Sequence, residues 1–361
     1  MIAWPNYVYK MVFALLLVGT LVGCGRPVYE TGQNNSNLIP ANIVLDGDSQ
    51  WQQKLAFWLD VVYMETDEIA AFASISPDLL SRPNLYTTYG TVGILAELEE
   101  EIPNTRAVGA WINSLKDQRG AYDDPLNELP LIVETYWAVA TLHRLGIAPY
   151  NPEDTVAFVN SLQRDDGFFV PDMSLGGAEE EQNLVATQFA IDVLLLLHTP
   201  STDESLQRSA KALNEYLESH LDGVSPSLAN REFTYFVAAA KALAMIDPST
   251  IPEGVESLLA PALDDASSLP ETSLMPGFTN DLLDVIELMG FSEDIPTKLK
   301  YYIAEHVLPS LARSREQEFI SGSLDPILTY EAIKLIGRAD VSFPDSAGLL
   351  QSLARYRIEN G

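Results

Sequence analysis

The sequence predicts an all-α fold, an (α/α)6-type toroid built from about six helical hairpin repeats. Three observations predict it. First, residues 88–122 repeat without gaps at 135–169, a spacing of 47 residues, with 11 of 35 positions identical. Each copy holds an apolar run, a polar break with Pro, a second apolar run and then Gly with an aromatic, the pattern of stacked helical hairpins. Second, the Thr opening the first apolar run recurs at 88, 135, 187, 234, 279 and 329. Third, the segments after each Thr are apolar almost all round, as helices buried on both sides must be. No stretch of alternating β-branched residues between turn signals competes.

Taken in order, the inner helices begin TYGTVGILAEL, TYWAVATLHRL, TQFAIDVLLLL, TYFVAAAKALA, TNDLLDVIELM and TYEAIKLIG. A Thr at each start is expected to cap the first turn through its hydroxyl. Between them lie amphipathic outer helices, among them Pro152–Leu162, Asp203–His220, Pro296–Ala312 and Pro344–Tyr356, with Pro, Asp or Ser near several starts. A further helix is expected over Trp51–Ala73. About six inner and seven outer helices result, and a single apolar inner ring favours closure over an open solenoid. The domain division expected is 1–23, 24–48 and 49–361, the last being the toroid.

The first two divisions concern location. Residues 11–22, MVFALLLVGTLV, form an apolar run behind Lys10 that is too short for a span of about 20 residues. It fits a signal-peptide core. Leu21-Val22-Gly23-Cys24 resembles a bacterial lipobox, which implies lipidation of Cys24. Cys24 is the single cysteine of 361 residues, so it closes no intramolecular disulfide. Residues 25–48 are rich in Gly, Asn, Pro and Ser and read as a tether. A lipoprotein on the extracytoplasmic side of the cell envelope is expected, held to the membrane by its lipid (palmitate or a similar acyl chain). The net charge is −30, becoming −31 when Lys10 leaves with residues 1–23. That charge excludes nucleic-acid binding by a basic face and favours a soluble monomer.

Asn160–Phe169, NSLQRDDGFF, resembles the Gln-x-x-x-Gly-x-aromatic motif of terpene cyclases and protein prenyltransferase β-subunits. The counterpart Lys116–Tyr122 keeps the Gly and aromatic but has Lys for Gln. The motif specifies fold: Gly allows a tight turn and the aromatic packs under the next hairpin. The resemblance implies active-site features that this sequence lacks. There is no Asp-x-Asp-Asp run; the pairs Asp123-Asp124, Asp165-Asp166 and Asp264-Asp265 read as solvated loop charges. With Cys24 in the lipobox, the Asp, Cys and His zinc set of prenyltransferases cannot be assembled. No metal or cofactor is expected, and His143, though on an inner helix, reads as packed or surface.

What remains is an aromatic and acidic rim at the inner-helix starts, converging on one mouth of a closed toroid. Its ligand-binding candidates are Tyr89, Tyr136, Trp137, Phe189, Tyr235 and Tyr330, with Tyr86 and Phe236 beside them. Its carboxylates are Glu134, Asp192, Asp281 and Glu331, the candidates for any acid catalysis, with Glu232 and Asp284 nearby. The reading that leads is binding of an apolar small molecule or peptide in the mouth. The alternatives are a metal-free enzyme, either a polysaccharide lyase or hydrolase or a cyclase-like catalyst using these carboxylates, and a purely structural scaffold.

Lipidation gives the first prediction. Cys24→Ser should abolish fatty-acid labelling and leave helicity and melting temperature unchanged, since the toroid has no disulfide to lose. Labelling that persists in the variant would contradict it, because the chain has no second thiol.

Overall fold

The computed structural model describes residues 63–65, 70–72, 83–97, 101–125, 129–171, 180–227, 230–265 and 276–290, together with 327, 330, 331, 334, 335 and 338. Cys24, the expected leader and tether, Thr329 and the outer helices expected over 296–312 and 344–356 lie outside them.

Nine α-helices are described. Inner helices are α1 (Leu85–Glu97), α3 (Leu131–Arg144), α5 (Glu180–Leu196), α7 (Arg231–Ile246) and α9 (Pro276–Met289). Outer helices are α2 (Thr105–Ser114), α4 (Pro152–Ser161), α6 (Glu204–His220) and α8 (Val255–Asp265). Each inner helix packs on the next, α1 on α3 through to α7 on α9, while α2, α4 and α6 each pack on the inner helix that follows. Amphipathicity separates the two layers. On α6, Leu206, Ala210, Leu213 and Leu217 are buried at helical spacing while Glu204, Lys211, Glu215 and Glu218 are exposed. None of the described helices is long and apolar enough to cross a membrane.

The ring closes through the sixth inner segment. Tyr330 packs edge-on against Tyr89 of α1, ring centroids 5.7 Å apart. A Cβ on Gly93 of α1 would lie 2.6 Å from the Tyr330 ring, so glycine permits this approach. On its other side the segment meets α9, where Asn280 donates to the Glu331 backbone carbonyl at 2.9 Å.

Two expectations are corrected. A continuous helix over Trp51–Ala73 does not form: Tyr63–Glu65 (β1) and Ala70–Phe72 (β2) pair antiparallel, with Tyr63 opposite Phe72. The run Val61-Val62-Tyr63 is β-prone. β2 lies against α1 and α2. The recurring Thr, moreover, is not a cap. It occupies the fourth to eighth helical position in α1, α3, α5, α7 and α9. Asn side chains cap instead, Asn84 accepting from the Thr87 N–H and Asn230 from the Glu232 N–H.

The Thr has another partner. The Thr135 hydroxyl accepts the Tyr122 N–H at 3.1 Å, and the Thr187 hydroxyl accepts the Phe169 N–H at 2.9 Å. Tyr122 and Phe169 are the aromatics of the two Gly-x-aromatic loops, and both are fully buried. Each loop is also pressed onto the next outer helix. Gly120 (φ +95°) and Gly167 (φ +92°) are left-handed, and a Cβ there would stand 2.2 Å from the Asp154 carbonyl and 2.6 Å from the Arg208 carbonyl. Gln163 donates to the Ser205 carbonyl and Ser209 hydroxyl of α6, at 2.8 and 2.9 Å. Lys116, in the Gln position, donates to the Tyr150 and Asn151 carbonyls before α4. One loop thus ties an outer helix to both the inner and the outer helix that follow.

Thr187→Val keeps the shape but leaves the buried Phe169 N–H without an acceptor, and should cost roughly 1–3 kcal/mol in urea unfolding. The same change at exposed Thr202 should cost less than about 0.5 kcal/mol. Equal, small effects at both sites would contradict the role given to Thr187.

Candidate functional site

Side chains from every inner element converge inside the ring. Two contacts establish this because each skips a helix. Arg144 Nη2 of α3 donates to the Tyr330 hydroxyl at 2.6 Å, passing α1, and Gln188 Nε2 of α5 approaches Asp281 of α9 to 3.5 Å, passing α7. Helical side chains lean toward the N-terminus, which lets Arg144, the last residue of α3, reach back to the level of Tyr89.

One wall is aromatic. Tyr136 lies 4.9 Å from Phe189 and 5.8 Å from Tyr89, whose ring stacks at 6.1 Å on Trp137; Tyr86 meets Trp137 edge-on at 5.3 Å. The Tyr89 and Tyr136 hydroxyls are 3.3 Å apart. The Arg144 guanidinium sits between the Tyr89 and Tyr330 rings, 4.7 Å from each centroid. Burial pushes all three phenols up, so they stay neutral hydrogen-bonding groups at any physiological pH.

The opposite wall is ionic. Lys241 Nζ of α7 lies 2.6 Å from Asp281 and 2.8 Å from Asp284 of α9. Arg338 also pairs with Asp284, and Lys334 stands 3.9 Å from it. Burial works against the Lys241 charge, but Asp281, Asp192 and Asp284 outweigh it and hold the amine well above the usual lysine range. For Asp284 burial is likewise overcome, by Lys241, Lys334 and Arg338, which hold its carboxyl below the ordinary value. Burial pushes Glu331 up against the opposing Lys334, while Asn280 Nδ2 donates to its carboxylate at 2.6 Å. These side chains keep 13–27 % of their surface accessible, although they sit on the inner ring.

Asp192 of α5 stands between the walls. Burial raises its carboxyl to about 6, with Lys241 opposing and Asp281 and Asp284 adding to the rise. It too keeps part of its surface accessible.

The structure therefore groups Tyr89, Tyr136, Trp137, Phe189 and Tyr330 with Asp192, Asp281 and Glu331. On α1, α3, α5 and α9 they lie more than one turn inside the helix start, deeper than the rim expected from the Thr positions. Glu134 goes elsewhere. It is fully buried, accepts the Asp124 N–H at 2.8 Å, and Asp124 accepts the Leu85 N–H at 2.6 Å, so this pair braces the start of α1. Asp124 is thus no solvated loop charge, whereas Asp165 is exposed and Asp166 pairs with Arg164 on the surface. Tyr235 is half-buried against the core, Phe236 is fully buried, and Glu232 and His143 are exposed.

Sequence reasoning missed the cations Arg144, Lys241, Lys334 and Arg338. The signal was present: charged residues inside otherwise apolar inner segments need a partner or a cavity.

Residues 50–224 match the family model of the prenyltransferase alpha-alpha toroid domain. That stretch is a prenyltransferase-type α/α toroid, the fold that the loop motif implied. The match ends between α6 and α7, and the helices beyond continue the alternation. No curated protein matches the chain. The zinc of prenyltransferases does not fit these residues: Cys24 is the sole thiol, Asp281 and Asp284 are taken by Lys241, and among the described residues no three metal-ligating side chains cluster.

Lys241→Met should leave Asp281 and Asp284 facing each other across a poorly solvated gap and cost roughly 3 kcal/mol at neutral pH. Because the Asp284 carboxyl is depressed, its stabilisation is complete above the ordinary value of 3.8 and is lost as pH falls further. The gap between parent and variant should hold at about pH 5 and close only below about pH 4. A gap that closed on raising the pH instead would contradict the pairing.

Proposed function

We propose that the protein is a cell-envelope lipoprotein, anchored through Cys24, whose toroid interior binds a small apolar molecule or peptide segment. One observation carries the binding reading: aromatic rings and paired charges from the inner helices converge within the ring, and several of them keep part of their surface accessible. Aromatic faces supply apolar contact, and the fixed polar groups orient what lies on them. The half-buried Tyr136 and Phe189 rings form the contact surface. The lipobox-like sequence and the tether support anchoring.

Turnover is a second reading with one observation in its favour: a carboxyl raised to about 6, as Asp192 is, can deliver a proton near neutral pH. Loss of turnover in Asp192→Asn with binding intact would favour it.

Native mass spectrometry of protein purified from its own envelope tests the binding reading. A bound mass is expected, and it should be lost or weakened at least about tenfold in Tyr136→Ala combined with Phe189→Ala, each ring being worth about 1–3 kcal/mol of contact. An empty protein that takes up no neutral aromatic probe would defeat it.

A further inference from the structure

Most of the interior ionic groups have a direct partner, and Asp192 is the carboxylate that does not. Lys241 is held by Asp281 and Asp284, Arg338 by Asp284, Glu331 by Asn280, and Arg144 by the Tyr330 hydroxyl and two rings. Asp192 makes no hydrogen bond or ion pair with any described residue. The charged groups acting most strongly on it are Lys241 of α7, Asp281 and Asp284 of α9 and Lys334 of the sixth segment. Lys241 acts on it most strongly, but that amine is shared with Asp281 and Asp284, so Asp192 has no cation of its own. From α3 it is faced by Tyr136, whose burial-raised phenol carries no charge.

An ionised carboxylate held away from bulk water without a partner is costly, and such groups are ordinarily paired. Here the group is surrounded by protein yet keeps accessible surface, so something entering the interior can reach it. Its neighbours specify what. Phe189 is three residues earlier on the same face of α5, and Tyr136 lies 4.9 Å from Phe189. A carboxylate beside two partly open aromatic rings suits a positive charge on an apolar body, since the rings attract a cation through their faces. An anion is disfavoured at this point, where it would meet the carboxylate.

We infer that Asp192 is the recognition point for a small amine, its ammonium on the carboxylate and its apolar part against Tyr136 and Phe189. This rests on the interior-binding reading and narrows it to one ligand chemistry. The chain's −30 charge favours the approach of such a ligand over long range.

Isothermal titration of the purified full-length protein with 4-phenylbutylamine and the neutral 4-phenylbutan-1-ol tests it. At about pH 7.5 the amine should bind at least about tenfold tighter. Asp192→Asn should remove the preference and leave the alcohol's affinity within about twofold. In the parent, the preference should also shrink as pH is lowered through about 6, where the carboxyl takes a proton. Equal affinities in the parent, or a preference that survives Asp192→Asn, would overturn the assignment while leaving interior binding intact. If neither probe binds, both readings fall. An Asp192→Asn variant that fails to fold by circular dichroism would overturn it too, since Asp192 would then have a structural partner.

Discussion

A ring of helices buried on both faces has to satisfy the backbone groups of the loops that feed it, because no water reaches them. In this toroid the recurring threonine does so. Its hydroxyl takes the N–H of the loop aromatic, at Tyr122 and again at Phe169. The glycine two residues earlier then lets the next outer helix come into backbone contact. Because each loop fixes three helices at once, the spacing between hairpins is set locally, and closure onto α1 by Tyr330 follows from repetition. Asn104 and Asn151, identical between the copies, hold the same left-handed conformation before α2 and α4, at φ 40° and 42°.

The interior follows from closure. Once the inner helices face one another, any charged side chain they carry is withdrawn from bulk water and must find a counter-charge across the ring. Lys241, Asp281, Asp284 and Arg338 do, and Arg144 finds tyrosines. The pairing spans α3, α7, α9 and the sixth segment, so the same contacts that neutralise charge also fix the ring's diameter at this level. Asp192 is left with a carboxyl raised to about 6 and with part of its surface accessible.

The fold was legible because its evidence is periodic: the 47-residue offset and the all-round apolar segments are read directly from the chain. The role of the threonine was not, since a hydroxyl near a helix start suits capping equally well, and only the loop's return from 13 residues earlier shows its partner. The β-hairpin before α1 lay hidden in a segment whose apolar residues fit either period. Within the site, aromatics were legible from their register beside the Thr, whereas Glu134 shared that register and turned to brace a loop. Arg144, Lys241 and Arg338 lie further along their helices, and their relation to residues on other repeats exists only after closure.

Closure is therefore the claim on which the site depends, and a double-mutant cycle between Arg144 and Tyr330 measures it directly. The two residues are 186 apart in sequence and share one 2.6 Å hydrogen bond only if the sixth inner segment returns past α1 to the level of α3. Arg144→Met, Tyr330→Phe and the double variant, compared by denaturant unfolding, should show a coupling of at least about 1 kcal/mol. Additive losses, with a coupling near zero, would mean that the ring does not close as described and that no shared interior exists.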